Sequence, residues 1–274
     1  MAGGIVRSII TTHSPRIGIE AKAPDFTRGL IQGIRLLGED VRAAKPDVVV
    51  VISTHWVTTF PWYATCQSVQ EGICVADEAP DLIPGIPYKW QGDPVLGRAI
   101  VDEVAALGVM AGYNETPHYT LDYGTVVPMQ YMDPDMTQRL VSVGTCILAP
   151  LDECFQVGAA IRRAATKAGK NVAVVGSTSF AHKIERGQEK WPSKEFMELD
   201  RQYIELLTSG RIKEAKQWLP DYGRQVATEV GGRVHAVVLG TMDEANERYT
   251  GVQYGPYGQS SASGNASVCI RPIQ

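Results

Sequence analysis

The 274-residue sequence contains no run of about 18 apolar residues, the length a membrane-crossing helix needs, so no transmembrane segment is expected. Its N-terminus has one arginine and then a strand-like run, without the apolar core of a signal peptide. Basic charge is not in excess. Lys and Arg number 26 against 30 Asp and Glu, a net charge of -4, which argues against a nucleic-acid partner. Cysteine is sparse and odd in number (Cys66, Cys74, Cys146, Cys154 and Cys269), with no CxxC spacing. Reduced thiols in a cytoplasmic protein fit better than disulfides or a zinc site. No GxSxG motif, glycine-rich phosphate loop or internal repeat is present. The length suits one large domain, residues 1–274.

Histidine is also scarce, and its placement is informative. Lys45, Pro46 and Asp47 lead into Val48–Ile52, five consecutive β-branched residues, as in a parallel strand buried on both faces. That run stops at Ser53, Thr54 and His55. Ile5–Ile10 likewise runs into Thr11, Thr12 and His13, and Asn171–Gly176 runs into Ser177 through His182. Three of the five histidines thus follow buried-looking strands, at the carboxyl ends where open α/β sheets keep their ligand sites. If those strands are parallel neighbours, the imidazoles converge.

The remaining pattern predicts an α/β domain, with a central mostly parallel or mixed sheet and helices on both faces. Asp25–Ala44 is an amphipathic helix with Asp25 as N-cap, making His13 and His55 the ends of one βαβ unit. Helices are also expected at Asp93–Leu107, Pro150–Ala168, Ser193–Ser209 and Arg211–Leu219, and a buried one at Val226–Thr241 despite Gly231 and Gly232. Thr58–Thr65 and Arg139–Leu148 read as strands. Tyr249–Gly264 reads as loop and Ala266–Ile270 as an edge strand. Asp77–Pro94 reads as a long loop, rich in proline and glycine, that serves as a lid or partner surface.

Two histidines at matching strand ends suggest a transition-metal site, and a carboxylate would complete the two-histidine, one-carboxylate face that holds non-haem Fe(II). His182 then fits an acid/base role. His118, beside Tyr119, Asp122 and Tyr123, is a second pocket candidate, with a hydrogen-bonded turn the plain alternative.

The four segments Thr11–Pro15, Ser53–Trp56, Leu121–Met129 and Gly176–His182, in that order, resemble the type III extradiol ring-cleaving dioxygenases, which include protocatechuate 4,5-dioxygenase and 2-aminophenol 1,6-dioxygenase. The resemblance implies His13 and His55 as iron ligands and His182 as acid/base. Tyr123 stands where the family has a histidine. The family's third ligand is a glutamate four residues before a tryptophan. Aligning the helix end on Gly240, Thr241 and Met242 puts the tryptophan at His235 and the glutamate at Gly231, so the carboxylate is lost. Glu229, two residues away on a helix, should face about 200° from that direction.

The reading that follows is a chain with vestigial His13, His55 and His182, pocket residues His118 and Tyr123, and no iron of its own. It resembles the non-catalytic α subunit of 2-aminophenol 1,6-dioxygenase. Fe(II) would sit on a homologous catalytic β subunit, in an α2β2 complex that opens 2-aminophenol or a catechol with O2. Two alternatives stand beside it: an active dioxygenase taking its carboxylate from Glu229, Asp122 or Asp243, and a metal-free scaffold.

Overall fold

The computed structural model describes residues 3–273. In chain order the elements are β1 (Gly4–Thr11), α1 (Arg28–Ala43), β2 (Val48–Thr58), β3 (Trp62–Thr65), β4 (Val69–Cys74), β5 (Ile86–Gly92), α2 (Pro94–Ala105), β6 (Ala111–Asn114), α3 (Tyr123–Met132), β7 (Arg139–Cys146), α4 (Leu151–Lys167), β8 (Asn171–Ser177), α5 (Lys194–Thr208), α6 (Ile212–Gln225), α7 (Arg233–Gly240), β9 (Arg248–Ser260) and β10 (Ser263–Ile273). All ten strands join one mixed sheet. Its main path runs β4-β5-β7-β2-β8-β1-β10-β9, with β3 pairing β7 and β6.

Alternation within the central strands divides the core. Val48, Val50 and Ile52 of β2 pack with residues of α2, α4, α6 and α7 on one face. Val49 and Val51 face the opposite side, with Ile34 and Leu37 of α1 and Val126 and Met129 of α3. Side chains buried on both faces are why β2 reads as unbroken valine and isoleucine rather than as a polar–apolar alternation. Local chemistry sets several helix starts. Asp93 accepts from the Leu96 amide at 2.9 Å ahead of Pro94, and Ser193 accepts from the Phe196 amide at 3.1 Å. Asp25 does not cap α1. It begins a single 3-10 turn, Asp25–Thr27, that precedes the helix.

Register fixes the site. β2, β8 and β1 are adjacent and parallel, with Ser53 opposite Ser177 and Ser177 opposite Thr11. His13 and His55 each lie two residues beyond that level.

The chain departs from the sequence expectations elsewhere too. β2 does not end before His55. It continues to Thr58, and its pairing with β7 jumps from Ser53 to Val57, so Thr54, His55 and Trp56 bulge out of the ladder. Tyr249–Gly264 is not loop, because β9 and β10 form a long hairpin whose turn puts Ser261 and Ala262 at positive φ. β10 is internal and β9 is the edge. Paired backbone amides carry this hairpin despite its glycines. Asp77–Pro94 is not all loop either, since it contains β5 and buries Ile83, Tyr88 and Trp90. Finally, Val226–Thr241 is not one helix, and that break shapes the site.

His235 of α7 is fully buried between Phe180 and Tyr203, and neither ring nitrogen has a hydrogen-bond partner among the described residues. Burial lowers its pKa to about 4, outweighing the attraction of Glu229. Because the folded-state pKa is depressed, stability present above the unfolded value of about 6.5 is lost as pH falls toward 4. Urea unfolding should show the wild type losing about 2–3 kcal/mol more than His235→Phe between pH 7 and pH 4.5. Equal losses would contradict this account.

Candidate metal centre

β1 passes Thr11 and turns at Thr12, whose hydroxyl donates to Asn265 at 2.6 Å, and this delivers His13 into the interior. His13 Nδ1 lies 3.0 Å from Ser177 Oγ. Ser177 has one hydroxyl proton and gives it to the Gly124 carbonyl. The imidazole must therefore donate from Nδ1, which leaves the Nε2 lone pair facing inward. Thr54 Oγ1, at 3.4 Å from that nitrogen, is too distant for a strong hydrogen bond.

His55 is held by its bulge. Its amide donates to Ser53 Oγ at 3.0 Å, and Ser53 in turn donates to Asp122. Its Nδ1 lies 3.3 Å from a Glu78 carboxylate oxygen, a partner that favours hydrogen on Nδ1 and again leaves Nε2 as acceptor. The Tyr123 ring packs on His55 with centroids 4.0 Å apart. Burial, and then the Glu78 carboxylate, raise the Tyr123 hydroxyl well above its usual range, so it stays protonated. Gly124 is required here. A Cβ would come within 2.2 Å of Ser53 Oγ and 3.3 Å of the His55 ring.

The third group is Glu229, and this corrects the sequence reading. Glu229–Gly232 is a 3-10 turn in which Val230 (φ 44°), Gly231 (φ 66°) and Gly232 (φ 80°) are all left-handed, and α7 starts only at Arg233. Helical rotation does not apply across such residues, so the conclusion that Glu229 faces elsewhere fails. Gly231 does not line the cavity, and a Cβ there would meet the Arg233 guanidinium at 2.8 Å. The Gly231–Gly232 pair was the available signal, because two adjacent glycines mark left-handed backbone more readily than helix interior.

Glu229 Oε1 lies 3.3 Å from His13 Nε2, 3.6 Å from His55 Nε2 and 3.5 Å from His182 Nε2, and the two histidine Nε2 atoms are 3.0 Å apart. Its Oε2 accepts from the Ser179 amide at 2.8 Å, which fixes the carboxylate plane. Burial pushes this carboxyl upward, but positive charge on the surrounding imidazoles outweighs it and holds Glu229 well below the usual carboxylate range, the part a bound cation takes when the imidazoles are neutral. Burial lowers His182, opposed by the Glu229 charge, so this imidazole is neutral at pH 7.

Two nitrogen lone pairs and a carboxylate oxygen thus converge. Ligands about 2.1 Å from one metal in adjacent octahedral positions lie about 3 Å apart, close to the separations found here. The donor set fits a divalent transition metal of the two-histidine, one-carboxylate kind. Asp122 is not part of it, being committed to Ser53 and to capping α3 through the Thr125 amide. Asp243 is held instead by Asn246, the other side of its loop. His118 is exposed and does not line the cavity, while the neighbouring Tyr119 ring packs at a tilt against Trp56.

The cavity at the three donors measures about 330 Å³ and is also lined by Tyr123, His182, Leu82 and Asn265. A larger groove of about 550 Å³ between α5 and α6 holds no comparable convergence of donors.

Residues 7–263 match the family described as the catalytic LigB subunit of aromatic ring-opening dioxygenase. The chain belongs to this family. It is 29% identical over 238 residues to a 3,4-dihydroxyphenylacetate 2,3-dioxygenase of Escherichia coli, covering 83% of this chain and 86% of that one. It is also 25% identical to the beta subunit of a Pseudomonas sp 2-aminophenol 1,6-dioxygenase (97% of this chain, 93% of the relative) and 25% identical to the alpha subunit (85% and 86%). A crystal structure of an uncharacterized Escherichia coli K12 protein shares the fold, with a TM-score of 0.69 at 18% identity over 96% of this chain and 99% of the other.

Gly231→Glu should therefore gain no metal affinity. It should also cost about 1 kcal/mol or more, because a side chain replaces glycine at positive φ. Chemical denaturation and Fe(II) titration of the variant check this. An affinity above that of the wild type would restore residue 231 as the ligand position.

Proposed function

We propose that this chain is itself an Fe(II)-dependent extradiol dioxygenase, with His13, His55 and Glu229 holding the metal and His182 acting as acid/base. The observation that carries the reading is Glu229 Oε1, set 3.3 Å and 3.6 Å from two imidazole nitrogens that both present lone pairs. The silent α-subunit reading rested on a missing carboxylate at residue 231, and with Glu229 in place it loses its basis. The metal-free scaffold reading leaves three mutually repelling acceptors buried together without a purpose. All three donors come from one chain, so this site does not need a homologous partner to complete it. An α2β2 pairing with a subunit like those of the aminophenol enzyme is compatible with the site but not required by it.

Bound Fe(II) would supply a centre at which O2 and an electron-rich ring meet. The chain's own residues do the rest. Neutral His182 can accept a proton from a ring hydroxyl and later return it, because burial keeps it uncharged while Glu229 stabilises its protonated form. Tyr123 offers a hydroxyl that does not ionise and so can only donate to, or accept from, a bound oxygen. Leu82 and Ile184 wall the cavity with apolar surface suited to an aromatic ring. The substrate class is a ring with two adjacent O or N donors, a catechol or a 2-aminophenol, in line with the names of the relatives.

Glu229→Gln keeps the shape and the contact with the Ser179 amide but removes the charge. Fe(II) affinity should drop by about 100-fold or more, beyond what loss of an outer partner costs. Anaerobic titration checks this, and an unchanged affinity would exclude Glu229 as a ligand. His182→Asn should retain iron while ring opening, followed by O2 uptake, slows about 10²- to 10⁴-fold. Full activity in that variant would remove His182 from the chemistry.

A further inference from the structure

Arg16 stands three residues after His13, in the single 3-10 turn Pro15–Ile17, and lines the same cavity as the three donors. Its guanidinium donates to Gln188 Oε1 at 3.2 Å and to Ser261 Oγ at 3.4 Å, both neutral and both long. No carboxylate lies within 4.0 Å of it among the described residues. The two acids lining the cavity are engaged elsewhere, Glu229 by the imidazoles and Glu78 by His55. Among the described residues, histidines apart, Arg16 is the one cationic side chain lining this cavity.

A half-buried guanidinium with only neutral partners keeps much of its fork free, and that fork matches a carboxylate in two parallel hydrogen bonds. We propose that Arg16 recognises an anionic carboxylate side chain on the ring substrate, and that it sets the specificity of the cavity for carboxylated over uncharged catechols. This inference rests on the reading of the cavity as a ring-binding site. The apolar walls take the ring, the metal face takes its adjacent oxygens, and Arg16 takes the charge that would otherwise be desolvated without a partner.

The test uses the Fe(II)-loaded chain under anaerobic conditions. The probes are catechols carrying a carboxylate directly or on one or two methylenes, each compared with its methyl ester. Calorimetry of the wild type should show at least one acid binding about 10-fold or more tighter than its ester. That preference should collapse toward unity in Arg16→Met and be largely restored in Arg16→Lys. No preference in the wild type, or one that survives in Arg16→Met, would overturn the proposal, as would failure of every probe to bind. O2 uptake with the same probes is read separately. An Arg16-dependent binding preference without ring opening would sink the dioxygenase reading alone, whereas ring opening with no such preference would sink the carboxylate site alone.

Discussion

Three acceptor atoms held within 3.0–3.6 Å of one another, two imidazole nitrogens and a carboxylate oxygen, are the constraint around which this molecule is arranged. Brought together in a buried place they repel, and each must be anchored from behind to stay. Ser177 anchors His13, Glu78 and the β2 bulge anchor His55, and the Ser179 amide anchors Glu229. The anchors on the two histidines also hold their ring hydrogens away from the meeting point. A divalent cation turns the same geometry from repulsive to attractive, and so a transition-metal centre is the natural use of the site.

The sheet supplies the precision. Thr11, Ser53 and Ser177 lie abreast on three neighbouring parallel strands, so histidines two residues beyond two of those positions meet. β2 contributes by a bulge, and α3 approaches closely enough that only glycine fits at residue 124. Val230 in the left-handed region is an unfavourable conformation for a β-branched residue, held at the step that aims Glu229. Strain placed beside a functional group in this way is consistent with a position set by function as much as by stability.

Much of this was legible in the sequence. Continuous valine and isoleucine gave β2 its buried central place, and repeated Thr-His endings placed His13 and His55 together. The third donor was not legible by helical geometry, because Val226–Thr241 is too apolar to look broken, and three left-handed residues defeat any argument from rotation. The β9–β10 hairpin was hidden for a different reason. Its stability comes from backbone pairing, in a sequence whose glycines and serines read as loop. His118 followed composition rather than topology. A histidine beside tyrosines resembles a pocket, yet its loop lies at the surface.

The central claim is that one chain carries a complete metal face. It is tested most directly by equilibrium dialysis of the isolated wild-type chain against Fe(II) without oxygen, followed by metal analysis. The account predicts one iron per chain, with no partner subunit present. Iron well below one per chain under saturating Fe(II), recovered only when a homologous subunit is added, would contradict it.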